Sequence, residues 1–184
     1  MSTITTYQRH LIDPTAPDEA LIDPIDIAHA LSLLCRAGGH FSHFYSVAQH
    51  SLNCAKEAKC RGYSDKVVLC CLLHDASEAY LSDITRPVKA RLPDYLTIEE
   101  TLQNAIYRKF LHALPDEDEL ALIKAVDDTL LHYEFLSIMN ETVYTPAPTL
   151  HAELTFSFIP FEQVEKEFLK TLEAQLQTME RNKL

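Results

Sequence analysis

Glycine occurs only three times in this 184-residue chain, and two of the three are the neighbours Gly38 and Gly39. A sheet-rich fold needs many tight turns, and tight turns need residues that tolerate positive φ. So little glycine favours long helices joined by few sharp reversals. Helix starts and stops recur along the chain. Asp26 opens "DIAHALSLLCRAGG", in which Ile27, Leu31 and Leu34 return at helical spacing before Gly38 supplies a stop. Ser46 and Gln49 form the S-x-x-Q arrangement of reciprocal capping at the head of "SVAQHSLNCAKEAKCRG", and Ser64 heads "SDKVVLCCLLHDASEAYL". Thr97 and Glu100 repeat the capping pattern before "ETLQNAIYRKFLHAL", which runs to Pro115. Asp116 or Asp118 caps "ELALIKAVDDTLLHYEFLSIMNE", and a last helix begins near Phe161. Only "ELTFSFI" resembles a strand, and its alternation is weak. The expected fold is all-α, a single compact bundle of about six or seven helices over 1–184. Its motif-bearing core spans about 25–140, and its C-terminal helix about 161–182.

The charge balance narrows the function. The formal charge is −11, from 16 basic and 27 acidic side chains, whereas binding a duplex through its phosphates requires a basic face. Duplex nucleic acid is therefore disfavoured as a partner, while a small anion held by a metal and one or two cations remains open. No apolar stretch reaches the roughly 18 residues that span a bilayer, so no membrane partner is expected. The start lacks the apolar centre of a secretion signal, and the five cysteines follow no bridging pattern. A cytoplasmic protein with reduced, buried thiols is expected.

One segment is costly. In "LCCLLHDASEAYLSDITRPVK" an apolar run belonging to a core ends on His74, Asp75, Glu78 and Asp83. On a helix His74 and Glu78 are i and i+4, and Asp75 and Glu78 are i and i+3, so Glu78 lies near both. His74 and Asp75 are about 100° apart and can approach one ion together. Mixed nitrogen and oxygen donors suit Mn²⁺, Co²⁺, Ni²⁺, Fe²⁺ or Zn²⁺ better than Ca²⁺. His50 lies inside the preceding helix, and Asp127 follows the apolar "LALIKAV", which turns its carboxylate toward the core.

The order His50, His74-Asp75, Asp127 resembles the H…HD…D pattern of HD-domain metal-dependent phosphohydrolases. The flanking stretches "DIAHALSLLCRAGGH…FYSVAQHS", "LLHDASEAYLSDITRPVK" and "IKAVDDTLLHYE" are similar to a subgroup of short HD proteins that includes bacterial 5′-deoxynucleotidases. The resemblance implies that His50, His74, Asp75 and Asp127 hold one divalent ion, drawn from Mn, Co, Fe, Ni, Zn and Mg. It implies that Glu78 orients water or carries its proton, with Asp83 as the competing acid or base. Asp128 is the solvent-facing member of its pair. Arg36 and Lys89 are the phosphate candidates, and His40 is near enough in sequence to Arg36 to line the same cleft. The remaining histidines are assigned to the core edge or the surface, His132 among them. Deoxynucleotidases of this type carry a bulky aromatic directly after the arginine, whereas Ala37 stands here. That departure puts deoxyribose selectivity in doubt.

The function expected is release of phosphate from a nucleoside 5′-monophosphate or similar small phosphate. Removal of triphosphate or pyrophosphate from a nucleotide is the alternative, and a non-catalytic helical binding module ranks below both. The apolar-rich tail "FEQVEKEFLKTLEAQL" suits either a core helix or a homodimer contact.

Overall fold

The computed structural model describes residues 3–182. The chain begins with a two-residue ladder, β1 (Ile4–Thr5) antiparallel to β2 (Leu11–Ile12), the only sheet among the described residues. Among the described residues eight α-helices follow, besides two short 3₁₀ turns: α1 (Pro24–Leu33), α2 (Val47–Cys60), α3 (Asp65–Leu73), α4 (Glu78–Leu81), α5 (Arg86–Lys89), α6 (Pro93–Leu111), α7 (Glu117–Met139) and α8 (Phe161–Arg181). Two of them, α4 and α5, are single turns, which leaves six of substantial length, as the sequence predicts. The all-α expectation holds.

The architecture is organised around α3. Its seven residues from Val67 to Leu73 are all buried, because a helix apolar on every side must be surrounded. It packs against α2, α6, α7 and α8. The amphipathic α8 presents Val164, Phe168 and Leu172, at i, i+4 and i+8, to α1, α2 and α3. No described helix is long and apolar enough to cross a membrane.

Several boundaries differ from the sequence expectation. Asp23, not Asp26, caps α1, with Pro24 at the first helical position where its missing N–H costs nothing. Asp26 is buried inside the helix, where it accepts from the Gln8 amide (2.6 Å) and pairs with His10 (3.1 Å). The same helix stops at Leu33, well before Gly38, because residues beyond it pair backward. Cys35 bridges Ser46, the Arg36 amide donates to the Tyr45 carbonyl, and the Val47 amide to the Leu34 carbonyl. Ser46 caps α2 as predicted, but the Gln49 side chain donates to the Ser157 carbonyl instead of closing a capping box. Likewise α6 starts at Pro93, and Thr97 lies within it. Asp116 is the cap of α7, with Glu119 completing the reciprocal pair. The segment "ELTFSFI" forms no ladder, and side chains of α2 satisfy its backbone: Asn53 donates to Thr155, as Gln49 does to Ser157. Cys60 is exposed, unlike Cys54, Cys70 and Cys71, and His132 is buried rather than at an edge.

The connection from α7 to α8 runs back over α2 and is held by one buried carboxylate. Glu57 accepts from the His151 and Ala152 amides (3.0 and 2.8 Å) and from Arg61 Nε (2.8 Å). Burial opposes ionisation of Glu57, yet these donors override it and hold its pKa below the usual 4.5. Ionised Glu57 therefore stabilises the fold fully above that value, and the contribution disappears as pH falls through the lowered pKa. Glu57→Gln should cost about 1–3 kcal/mol in urea unfolding at neutral pH. The gap to the parent protein should narrow on acidification.

Candidate metal centre

The residues of the centre come from four places in the chain. His50 is on α2, fully buried. His74 and Asp75 follow the end of α3, where the helix tightens into i→i+3 turns: the Ala76 amide bonds to Leu73, Glu78 to Asp75, and Tyr80 to Ser77. His74 and Glu78 are thus not on one continuous helix. At about three residues per turn, Glu78 stands over Asp75 rather than over His74. Asp127 comes from the middle of α7, on the face that also bears Leu130 and Glu134. Arg36 arrives on the short turn after α1, where Ala37, Gly38 and Gly39 all have positive φ (55°, 59° and 79°). For Ala37 that conformation costs about 1–2 kcal/mol, and it reverses the chain so that Arg36 points inward.

These side chains meet. His50 Nε2 is 3.2 Å from His74 Nε2, 3.3 Å from Asp127 Oδ1 and 3.7 Å from Asp75 Oδ2. His74 Nε2 is 3.3 Å from Asp75 Oδ2 and 3.9 Å from Asp127 Oδ1. Donor atoms about 2.1 Å from a shared ion lie about 3.0 Å apart in an octahedral arrangement and about 3.4 Å apart in a tetrahedral one. Three of the five separations, 3.2, 3.3 and 3.3 Å, fall in that range, and the two others, 3.7 and 3.9 Å, are wider.

Protonation gives an independent test of fit. His50 Nδ1 is 2.6 Å from Glu134 Oε1, and His74 Nδ1 is 2.9 Å from the Cys71 carbonyl oxygen, which can only accept. In its neutral form each imidazole therefore carries its hydrogen on Nδ1 and turns an Nε2 lone pair toward the other. Two lone pairs facing each other beside two carboxylates call for a cation between them. A second proton on His50 is the other relief. Burial and Arg36 oppose it, but Cys54, Glu134 and Asp127 together raise the His50 pKa well above 6.5, so protons and metal compete for the same site.

Cys54 also stands within 4.8 Å of the two histidines. Its sulfur is 3.4 Å from His50 Nε2 and 3.9 Å from Nδ1, so it lies over the ring rather than along the Nε2 lone pair. Burial pushes its thiol up to about 11. A neutral thiol packed on an imidazole face describes it better than a ligand does.

Glu134 is the residue that the sequence reading missed. It is fully buried, binds His50, and holds its other oxygen 3.4 Å from Arg36 Nη2 with no hydrogen bond. Arg36 Nη1 in turn donates to Asp75 Oδ2 (3.1 Å). The position seven residues after Asp127 returns to the same helical face, and that spacing was the available signal.

Asp75 and Asp127 line a cleft of about 490 Å³ together with Arg36, Glu78, Asp83 and Lys89. Phe41, Leu131 and Phe135 line it as well. Glu78 is buried. Burial, then the charges of Asp75 and Asp83, raise its pKa well above 4.5 despite Lys89 Nζ at 3.3 Å from Oε1, while Oε2 has no partner. Burial likewise raises Asp83, against the pull of Arg36. Lys89 also binds Glu99 (2.7 Å). His40 is exposed and outside the cleft lining, because the turn at Gly38 and Gly39 carries it outward. Asp128 is only partly exposed and binds Arg86, Lys124 and Tyr144.

An all-helical fold whose helices bring together His, His-Asp and Asp in this order defines an HD domain. The HD-domain family model matches residues 39–179, and the chain belongs to that family. It is similar to the uncharacterized protein YfdR of Escherichia coli, 41% identical over 112 residues, which is 60% of this chain and 59% of that protein. It is also similar to the uncharacterized protein RCAP_rcc00048 of Rhodobacter capsulatus, 37% identical over 124 residues, 64% of this chain and 61% of the relative. The chain thus spans about three fifths of the length of each curated relative it matches.

Because Glu134 sets the His50 tautomer, Glu134→Ala should weaken Mn²⁺ binding by about 10- to 100-fold. Calorimetric titration of metal-stripped protein measures this directly.

Proposed function

We propose that this chain is a metal-dependent phosphohydrolase acting as a phosphomonoesterase on a nucleoside 5′-monophosphate or a similar small phosphate. The observation that carries the reading is a four-donor cluster, His50, His74, Asp75 and Asp127, whose two carboxylates line a cleft that also holds Arg36, Lys89 and apolar side chains. A divalent ion at such a centre polarises phosphoryl oxygens and acidifies water. Arg36, whose Nη1 already donates to Asp75, keeps Nη2 for a phosphate oxygen, and Lys89, shared with Glu78 and Glu99, adds a point charge. Glu78 Oε2 is a buried oxygen with no partner, on a carboxyl whose raised pKa suits it to hold or pass a proton. Asp83, less enclosed, is the competing proton carrier. Phe41, Leu131 and Phe135 offer apolar contact to a flat leaving group.

Arg86, a cation that a longer phosphate chain would need, is already engaged by Asp127 and Asp128. This favours a monophosphate over a triphosphate. Ala37 lines the cleft without bulk, so a ribose 2′-hydroxyl meets no steric block there.

A panel of nucleoside mono-, di- and triphosphates with Mn²⁺, Co²⁺ or Mg²⁺ tests the reading. Orthophosphate should be released from monophosphates, with ribose and deoxyribose substrates differing in kcat/KM by less than about 100-fold. Asp75→Ala should abolish metal-dependent turnover. Release of pyrophosphate or triphosphate would move the assignment to the alternative activity, and turnover unaffected by a chelator would overturn it.

A further inference from the structure

Asp127 has two carboxylate oxygens with different surroundings. Oδ1 faces His50 Nε2, whereas Oδ2 receives Arg86 Nη2. The other hand of the same guanidinium, Nη1, donates to Asp128 Oδ1 at 2.7 Å. From these contacts we propose that Arg86 is a positioning residue for the metal centre: by gripping two adjacent carboxylates with one rigid fork, it fixes the rotation of the Asp127 side chain. The proposal rests on reading Asp127 as a metal ligand.

Neighbouring residues on a helix point about 100° apart, so a lone carboxylate in this position is free to swing. A planar guanidinium with one hand fixed on Asp128 leaves little choice of where the other hand meets Asp127. Asp128 is itself held, by Lys124 Nζ at 2.5 Å and by the Tyr144 hydroxyl at 3.2 Å. Arg86 is likewise anchored by its backbone. It is the first residue of α5, whose amides at Val88 and Lys89 bond back to Thr85, and whose far end is tied through Lys89 to Glu78 and Glu99. A single ion pair as exposed as this one, with the Arg86 side chain at 47%, would contribute little. Its effect comes from linkage, since the fork ties α5 to α7 at the Asp127 oxygen turned away from the histidines, and to Tyr144 after α7 through Asp128.

This assigns Asp128 a purpose beyond solvation. An acidic pair at 127 and 128 divides the work, with the first residue facing the histidines and the second holding the arginine that aims it.

The test is Mn²⁺ affinity of metal-stripped protein by calorimetry, a readout separate from turnover, so failure of the proposed hydrolysis leaves it decisive. Arg86→Ala should weaken binding about 10- to 100-fold, and Arg86→Lys, which reaches only one carboxylate, should recover part of the loss. Asp128→Ala, which touches no donor of the centre, should weaken binding by a smaller factor, and the double variant Arg86→Ala/Asp128→Ala should be no worse than Arg86→Ala alone. If Arg86→Ala does not fold, as judged by circular dichroism, Arg86→Lys and Asp128→Ala carry the comparison. Unchanged Mn²⁺ affinity in the folded variants, with only KM raised, would make Arg86 a substrate contact and overturn the proposal. Additive losses in the double variant would overturn it as well.

Discussion

Beneath the cleft there is more electron density seeking a cation than there is positive charge to meet it. The Nε2 lone pairs of His50 and His74 converge with Asp75 and Asp127, Glu134 stands behind them, and Arg36 is the one guanidinium buried among them. Such a cluster is costly in a low-dielectric interior unless a cation completes it. The rest of the bundle serves to keep these groups from relaxing apart. An apolar α3, buried on all sides, fixes the backbone from which His74 and Asp75 emerge, and α2 and α7 pack beside it to bring His50 and Asp127 within reach. Glu134 then fixes the His50 ring so that its lone pair cannot turn away.

Around this rigid floor the fold accepts local strain. The reversal at Ala37, Gly38 and Gly39 puts three consecutive residues in the left-handed region, and one of them has a side chain. What it secures is the placement of Arg36, whose amide is tied to Tyr45 and whose fork reaches Asp75 and Glu134. The single-turn α5 crosses the opposite wall in a comparable way, held at one end by Arg86 on α7 and at the other by Lys89 on Glu78 and Glu99. Charged residues that line the cleft are therefore also the fastenings of its walls.

Much of this was legible before folding. The apolar run ending in His74 and Asp75, and the spacing to His50 and Asp127, belong to local patterns that survive in three dimensions because each sits on a regular helix or directly at its end. Helix boundaries were less legible wherever a distant partner intervened. α1 ends early because Cys35 and Arg36 pair with Ser46 and Tyr45, and Gln49 leaves its expected capping role for the Ser157 carbonyl. Glu134 escaped notice because a glutamate one turn short of a helix end reads as surface until its neighbours across the bundle are known. His40 was grouped with Arg36 by proximity in sequence, but two glycines between them reverse the chain and carry it to solvent.

Helical class, the order of the elements, and the residues with chemistry suited to a divalent ion can all be read from the chain alone. Those properties follow from periodicity, capping and side-chain type, all set within a few residues along the chain. Only packing across the bundle brings the Nε2 atoms of the two histidines face to face, puts Glu134 behind one of them, and joins Asp127 to Asp128 through Arg86. It also decided that Cys54 lies over an imidazole ring rather than in line with its lone pair. Each of these depends on the angle at which one side chain meets another from a different helix, and packing across the bundle sets that angle.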